Sequence, residues 1–265
     1  MFILKVGGGK EINWDYIAED LAHREEQFVI VHGANARMRE ISEKLGVPER
    51  TITSPSGHVS RYTDAKAMEV LTMVYGGLTN TAIVACLQRH GINAVGLTGA
   101  DGKLWQGKRK DHILSQEGGK VKVVSNSATG IMESVNAPLV RQLLQGGYTP
   151  VVTVPAITAA GELINVDNDR AAAVMARDLS VATLVMLFEA PGLLAHPSDE
   201  GSLVRTVTGV QLDAYLEKVQ GRMRKKLLGV REAFSSGVRE VYFGDGRKRG
   251  PVSSALSGHG TTLTP

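Results

Sequence analysis

The stretch FILKVGGGK at residues 2–10 decides the fold. An apolar run that ends in glycines is typical of a buried strand followed by a tight loop. Lys5 lies inside the run, and a lysine is costly to bury unless an anion lies beside it. Glycines let backbone N–H groups approach the same anion. The stretch therefore predicts a phosphate-binding loop at the end of a strand, although a core strand with an outward-reaching lysine also fits.

The glycine spacing excludes two common nucleotide-binding motifs. A Walker loop has the pattern Gly-x-x-x-x-Gly-Lys-Ser/Thr, and a dinucleotide fingerprint has Gly-x-Gly-x-x-Gly with an acidic residue about 20 positions later. Residues 7–10 match neither pattern. The predicted loop is therefore of another type.

Composition indicates an ordinary globular protein. The chain has 265 residues, 43% hydrophobic and 22% charged, with a formal net charge of +3 that gives no reason to expect a nucleic-acid partner. The single cysteine, Cys86, lies in an apolar run, which predicts a core thiol in a reducing, cytoplasmic protein. No uninterrupted apolar run approaches ~20 residues, and the first strand begins at residue 2, so we expect neither a membrane span nor a signal peptide.

Strands and helices alternate along the chain. The pattern after the first strand predicts a helix over 12–27, a strand over 28–31 with a second glycine loop, and a helix over 36–46. This alternation predicts a parallel α/β sheet, whose ligands bind at the carboxyl ends of the strands, where both glycine loops fall. Further helices are predicted over 65–90, 135–147, 171–179, 210–219 and 221–234, and further strands over 94–97, 149–154, 182–188, 238–244 and within 256–263.

Two stretches depart from this alternation. Residues 50–64 are polar and rich in turn residues, and residues 101–124 predict antiparallel hairpins with turns at 101–102 and 118–119. A basic hairpin is usually a solvated face, but charge concentrated in one short segment also suits an acidic partner. The basic residues that we select as docking candidates are Lys103, Lys108, Arg109 and Lys110.

Two charged clusters lie where helices begin, and together with the glycine loops they suit phosphoryl transfer. Residues 165–169, NVDND, carry more polar groups than N-capping needs, and carboxylates this close repel unless a cation lies among them. Residues 221–226, GRMRKK, place cations where the helix dipole favours an anion. Phosphoryl transfer needs positioned positive charge, which Lys5 and one of Lys225 and Lys226 would provide. The residues therefore predict a small-molecule kinase.

As an ordered set, the motifs resemble the amino acid kinase family, and acetylglutamate kinases in particular, over nearly the whole chain. Residues 53–57 and 60–64 resemble the subgroup that acts on an acidic LysW-type amino-group carrier protein. The family motifs are Lys5-Val-Gly-Gly8, Val31-His-Gly33, Arg61, Asn165-Val-Asp-Asn-Asp169, Ala190-Pro-Gly-Leu193, Gly221-Arg-Met-Arg-Lys-Lys226 and Gly260-Thr261.

The resemblance implies a three-layer α/β/α sandwich with a central, mainly parallel sheet, an acceptor lobe over 1–165 and an ATP-binding lobe over 166–265. It implies a kinase that uses ATP and Mg²⁺ to phosphorylate the side-chain carboxylate of α-aminoadipate, or of glutamate, joined through its amino group to the carrier. The pathway would be lysine biosynthesis, with arginine biosynthesis as a second option. The family commonly forms homodimers through the helix near 65–90.

The resemblance also assigns site residues by position. Lys5 and Lys226 would stabilise the transferring phosphoryl group, and Asp169 would organise the two lysines. Mg²⁺ would be held by phosphate oxygens and water, without a protein ligand. The acceptor substrate would contact Gly8, Gly33, Ala34, Arg61, which holds a carboxylate, and Asn165. The nucleotide would contact Gly7, Glu189, Gly192, Leu193 and Met223.

Three departures from the family pattern are visible. Ala34 stands where the family usually has glycine, and its methyl group restricts φ. Phe188 and Glu189 stand where the family usually has a small polar residue and then Asp or Asn, which affects the predicted adenine-side contacts. The pair at 224–225, Arg-Lys, adds charge that suits a carrier kinase.

Two other functions remain open at this point. One is an acetylglutamate kinase of arginine biosynthesis, against which the 53–64 loop argues. The other is a non-catalytic sensor of ATP and an amino acid, which would not need both phosphate lysines. The sequence does not separate aminoadipate from glutamate, because one methylene changes binding by only ~1–3 kcal/mol.

Overall fold

The centre of the protein is an eight-stranded sheet. The structure is a computed structural model that describes residues 1–55, 59–117 and 120–265. Adjacent strands are parallel except for one antiparallel pair near the edge, Glu240–Asp245 with Thr261–Leu263. The predicted, mainly parallel sheet is therefore confirmed. In spatial order the strands are β14 (Thr206–Val207), β16 (Thr261–Leu263), β15 (Glu240–Asp245), β13 (Thr183–Phe188), β1 (Phe2–Val6), β2 (Phe28–His32), β10 (Thr149–Thr153) and β5 (Ala94–Thr98).

Helices cover both faces of this sheet. Alternate residues of β1 point to opposite faces: Ile3 packs in one core cluster with Leu227, and Leu4 packs in the other with Ile17. Lys5 shares the face of Ile3, the face on which α6 and α8 pack. The helices are α1 (Trp14–Ala22), α2 (Asn35–Lys44), α3 (Ala65–Leu71), α4 (Asn80–Arg89), α5 (Ala137–Gln145), α6 (Asn168–Leu179), α7 (Gly209–Lys218), α8 (Gly221–Ser235) and α9 (Pro251–Leu256).

Among the described residues, three smaller sheets contain strands whose partners the sequence analysis did not predict, apart from a hairpin within 101–124. A four-stranded sheet has the order β12 (Leu163–Ile164), β11 (Ala156–Ile157), β6 (Trp105–Arg109) and β9 (Gly130–Val135). Two antiparallel hairpins are formed by β3 (Thr51–Thr53) with β4 (Val59–Arg61) and by β7 (Ile113–Glu117) with β8 (Lys120–Val124).

The hairpin turn predicted at 101–102 is wrong. Residues Asp101–Lys103 form a short 3₁₀ turn, and β6 pairs with β9 and β11 instead of β7. Local turn chemistry marked a bend there, but the strand partners lie elsewhere in the chain. The second predicted turn, at 118–119, and residues 56–58 of the predicted acceptor loop lie outside the described residues.

The helix predicted over 65–90 contains a π-helical segment, Thr72–Thr79, between α3 and α4. The whole continuous helix, Ala65–Arg89, is the one helix among the described residues that is long and apolar enough to cross a membrane. Core helices pass the same test, and its residues Leu71 and Leu87 are fully buried in the two core clusters. The Cys86 thiol is buried as predicted, and burial together with the Asp15 carboxylate raises its pKa to about 11.

One buried amide joins this helix to the sheet. Asn80 donates from Nδ2 to the carbonyl oxygens of Leu97 (3.0 Å) and Val151 (3.2 Å). A side chain at Gly96 would overlap the Asn80 amide, so the strand leaves room for it. The contact fixes α4 against β5 and β10.

We expect Asn80→Ala to lower the free energy of unfolding by roughly 1–3 kcal/mol, because it removes the donor from both strand carbonyls. Urea unfolding at equilibrium measures this change, with Thr81→Ala, an exposed position on the same helix, as the control. Equal stabilities of the two variants would show that the amide bridge contributes nothing.

Candidate active site

Two buried lysines share one buried aspartate beside the end of β1. Lys5 Nζ contacts Asp169 Oδ1, and Lys226 Nζ lies 3.4 Å from Asp169 Oδ2. The strand β1, the first turn of α6 and the second turn of α8 supply the three side chains, each at most 12% exposed. The structure thus brings together the three residues predicted to be catalytic.

The start of α6 divides its polar residues among separate tasks. Asp167 is the N-cap, and its Oδ1 accepts hydrogen bonds from the backbone N of Asp169 (2.9 Å) and of Arg170 (3.2 Å). Asn168 Nδ2 donates to the carbonyl oxygen of His32 at 3.1 Å, which ties the helix to the end of β2. Asp169 is then free to face the lysines.

The pKa values of the three groups depend on one another. Burial by itself raises the pKa of Asp169, but the ammonium groups of Lys226 and Lys5 outweigh it and hold that pKa well below its usual range. Burial lowers the pKa of Lys5, yet the charge of Asp169 more than offsets it and the net shift is upward. Burial and repulsion from Lys5 lower the pKa of Lys226 to about 8, against the attraction of Asp169. The Asp167 carboxylate also attracts both ammonium groups through its charge, so below pH 8 the two charged lysines have one carboxylate in direct contact and a second one nearby.

The neighbouring lysine has a different contact. Lys225 Nζ donates to the carbonyl oxygen of Val59 on β4. Successive residues on a helix differ in direction by about 100°, so only one of the two can face Asp169. The second lysine of the site is therefore Lys226, as the resemblance implied.

The two glycine loops lie against each other next to this cluster. Gly33 N donates to the carbonyl oxygen of Val6 (3.0 Å), and Ala36 N donates to that of Gly8 (2.8 Å). A side chain at Gly8 would overlap the backbone nitrogens of residues 34 and 35, so only glycine fits there. The backbone of both loops thus forms one cradle, and such backbone concavities bind anionic oxygens.

Ala34 fits this loop without strain. Its φ of −143° and ψ of 32° lie outside the left-handed region that favours glycine, and its methyl group is buried in the core. The departure from the family pattern at this position therefore leaves the backbone of the loop intact.

The predicted carboxylate-binding residue, Arg61, lies in a polar network. Its Nη2 lies 3.4 Å from Asn35 Oδ1, which also accepts a hydrogen bond from Tyr75 Oη at 2.8 Å. The guanidinium also contacts the carboxylate of Glu49. The sequence analysis did not assign Asn35, Tyr75 or Glu49 to the site. Asn35 was visible in the second glycine loop, but Tyr75 and Glu49 lie in stretches without any motif.

Asn165 is connected to the same region through the hairpin that carries Arg61. Its Nδ2 donates to Thr63 Oγ1 at 3.0 Å, and its backbone N donates to the carbonyl oxygen of Ala128 at 2.8 Å. Asn165 thus contacts Thr63, which follows Arg61 by two residues in the sequence.

The residues predicted to bind nucleotide lie at several places. Gly7 N donates to the carbonyl oxygen of Leu187 at 2.8 Å, where β1 meets β13. Leu193 is fully buried and its N donates to Thr261 Oγ1 at 2.8 Å, while a side chain at Gly192 would overlap the same hydroxyl. Met223, in the first turn of α8, is half-buried against the main core.

Glu189 covers the first glycine loop. Its Oε1 accepts a hydrogen bond from Glu11 N at 2.7 Å, and a side chain at Gly9 would overlap its carboxylate. In this position Glu189 stabilises the loop that follows Lys5.

Phe188 supplies an aromatic face to the cluster of Lys5, Asp169 and Lys226. The Lys226 ammonium lies 5.0 Å from the centre of the Phe188 ring, which packs edge-on against Phe243 with 5.3 Å between centroids. A cation–π contact of this kind stabilises the charged lysine by about 0.5–2 kcal/mol. Lys226 is thus held by two groups, the carboxylate of Asp169 and the ring of Phe188.

The carboxylates of the cluster are committed to protein contacts. Asp169 faces both lysines, and Asp167 caps α6. The assignment of Mg²⁺ to phosphate oxygens and water, without a protein ligand, stays a prediction.

Three of the four predicted docking cations are consecutive in the sequence and lie near Asn165. Lys108 and Arg109 end β6, and Lys110 N donates to the carbonyl oxygen of Thr129, which is bridged to Asn165. Lys103 precedes the start of β6, and five residues at about 3.3 Å each place it up to roughly 16 Å from Lys108.

Comparison with known proteins agrees with this geometry. The model of the amino acid kinase family matches residues 1–245. The chain belongs to the amino acid kinase family. A protein named "[LysW]-aminoadipate kinase" from Deinococcus radiodurans is 46% identical over 100% of this chain and 91% of its own length. A protein of the same name from Thermus thermophilus is 44% identical over 99% of this chain and 100% of its own length.

Solved structures show the same fold in more distant proteins. N-acetylglutamate synthase from Neisseria gonorrhoeae superimposes with a TM-score of 0.80 at 19% identity, over 100% of this chain and 59% of that one. Carbamate kinase from Giardia lamblia gives a TM-score of 0.63 at 14% identity, over 99% and 98%. The predicted family, the three-layer fold and the phosphotransferase class of enzyme are therefore confirmed.

We expect Phe188→Leu to move the alkaline limb of the kcat/KM profile for ATP to lower pH by roughly half a unit to one unit. In its predicted role Lys226 must be protonated to stabilise phosphate, so we expect activity to fall as pH rises through its pKa of about 8. Loss of the ring destabilises the charged form and lowers that pKa, at about 1.4 kcal/mol per unit.

The matched variant is Phe188→Tyr, which keeps an aromatic face and should keep the limb in place. An unchanged limb in Phe188→Leu would refute the role of the ring.

Proposed function

We propose that the protein is a kinase that transfers the γ-phosphoryl group of ATP to the side-chain carboxylate of α-aminoadipate, while a LysW-type carrier protein holds the amino group of that amino acid. Carrier-linked glutamate is the second acceptor that we propose. The Lys5–Asp169–Lys226 cluster beside the contacting glycine loops carries the proposal, because it provides positive charge for phosphoryl transfer. The names of the two relatives at 46% and 44% identity support the acceptor.

In the proposed reaction an oxygen of the acceptor carboxylate attacks the γ-phosphorus of ATP. The bond between that phosphorus and the bridging oxygen of ADP breaks, which yields an acyl phosphate and ADP. The carboxylate is already ionised at neutral pH, so the reaction needs no general base. Asp169 accordingly holds the two lysines rather than removing a proton.

The charges of the cluster act on the phosphoryl group. Lys5 and Lys226 face the equatorial oxygens of the transferring group, and the backbone of Gly8 and Gly33 binds phosphoryl and carboxyl oxygens. Mg²⁺ neutralises the phosphates of ATP when bound. Glu189 and Phe188 keep the first loop and Lys226 in place for this transfer.

Arg61 holds the free carboxylate of the acceptor amino acid, and Asn165 binds its other polar end. Lys108, Arg109 and Lys110 steer the acidic carrier to this end of the site. The acceptor lobe spans 1–165 and the ATP lobe 166–265, and the pathway is lysine biosynthesis, with arginine biosynthesis where glutamate is the acceptor.

A homodimer formed through the helix near 65–90 is also part of the proposal. Met73 and Leu78 on this segment are 53% and 44% exposed, and a second copy of the helix would cover them. A cytoplasmic location and the absence of nucleic-acid and membrane partners complete the proposal.

ATP turnover with three acceptors tests the function: carrier-linked aminoadipate, carrier-linked glutamate and free N-acetylglutamate. We expect turnover on the carrier-linked acceptors. The ratio of their kcat/KM values shows whether the enzyme prefers aminoadipate, as lysine biosynthesis requires, or glutamate, as arginine biosynthesis requires. Turnover on free N-acetylglutamate alone would identify an acetylglutamate kinase instead. ATP binding without turnover on any of the three would favour the sensor.

Charge reversal at Lys108 and Lys110 should slow association with the carrier severalfold, and more at low salt, because screening is weaker when the Debye length exceeds ~10 Å. Stopped-flow association rates at two salt concentrations measure the effect. Lys248→Glu, an exposed site on the other lobe, is the control. A rate unchanged by the double reversal would exclude these cations as a docking surface.

A further inference from the structure

Arg61 already has a carboxylate partner within the chain. Its Nη2 contacts Oε1 of Glu49, and the two side chains are only 15% and 16% exposed. Glu49 lies two residues before β3, in the segment that leads into the hairpin carrying Arg61. The guanidinium that the proposed function assigns to the acceptor is thus neutralised before the acceptor arrives.

We propose that Glu49 occupies the acceptor-carboxylate position on Arg61 and weakens acceptor binding there, so that tight binding requires an acceptor with further contacts, such as one delivered by a carrier protein. The inference rests on the proposed role of Arg61 in the function above. It assigns Glu49 to the affinity for the acceptor and not to phosphoryl transfer.

The weaker binding follows from the exchange of one carboxylate for another. An incoming carboxylate must share the guanidinium with Glu49, where like charges repel, or displace it. A small free acceptor gains little from this exchange, since Arg61 ends with the same kind of partner. A carrier-linked acceptor adds binding free energy from contacts remote from the reacting group, and such contacts can offset the displacement.

The structure provides a second partner for a displaced Glu49. Its Oε2 lies 3.9 Å from Nε of Arg39, an exposed residue of α2. A small rotation would exchange one arginine for the other and keep the Glu49 charge paired.

Arg61 also has a contact that does not involve Glu49. Its Nη2 lies 3.4 Å from Asn35 Oδ1, and the hydrogen bond from Tyr75 fixes that amide. We expect this contact to hold the guanidinium in the site when Glu49 is displaced.

Glu49→Gln tests the inference, because the amide keeps the size of the side chain and removes its charge. We expect the KM of free N-acetyl-L-2-aminoadipate and N-acetylglutamate to fall at least about tenfold, from the loss of a like charge a few ångströms away. The KM of carrier-linked aminoadipate should fall by a similar factor, because displacing Glu49 costs the same free energy for both kinds of acceptor. Glu40→Gln, which removes an exposed charge paired with Arg37 and Lys44, should change neither KM.

Calorimetric titration of N-acetyl-L-2-aminoadipate without ATP provides a readout that does not depend on phosphoryl transfer. Tighter binding to Glu49→Gln than to the parent protein supports the inference. Unchanged affinity, or an equal loss of kcat/KM on free and carrier-linked acceptors, would overturn it, since Glu49 would then only position Arg61. Absence of turnover on carrier-linked acceptors in the parent protein is a different result, and it would overturn the proposed function.

Discussion

The structure depends on two ammonium groups that share one buried carboxylate. Residues 5, 169 and 226 meet only if β1 lies in the middle of the sheet and α6 and α8 pack on the same face of it. Loss of one partner leaves a buried charge unpaired, which costs roughly 3–5 kcal/mol. The interaction therefore constrains the order of strands and the chemistry at the same time. Whatever disturbs the packing of α8 against α6 also disturbs the charge that would face a phosphate.

The cluster is unequal, and this inequality is useful for phosphoryl transfer. Lys5 is held directly by Asp169 within a central strand, whereas Lys226 lies 3.4 Å away on a helix that opens toward the site. Further stabilisation comes from the charge of Asp167 and from the ring of Phe188, and the ring accepts no conventional hydrogen bond and so leaves N–H donors available. Lys226 is thus charged but incompletely paired, as expected of a group that completes its interactions with a bound phosphate.

The core of this arrangement could be predicted from the sequence because it is encoded locally. FILKVGGGK identifies the strand, the lysine and the loop together, and NVDND marks the start of a helix with a surplus carboxylate. The residues alone left Lys225 and Lys226 open, because the choice depends on how α8 is rotated against α6. The pairing of β6 with β9, the π-helical segment and the contact between Arg61 and Glu49 were missed for a related reason. Each depends on a partner distant in the chain or on irregular backbone.

The lysine cluster and the proposed acceptor contacts lie in parts of the protein that differ in how well they tolerate substitution. The lysine cluster lies on β1, α6 and α8, whose side chains are also part of the core, so substitution there endangers folding. The proposed acceptor contacts lie on the short hairpin of β3 and β4 and the segment before it, where few core residues are at stake. Under the proposed function, a change at Glu49 would therefore alter how tightly the acceptor binds while β1 and its lysine remain as they are. The proposed acceptor contacts thus fall on a part of the chain that contributes little to the core, whereas a change in the lysine cluster also affects the core.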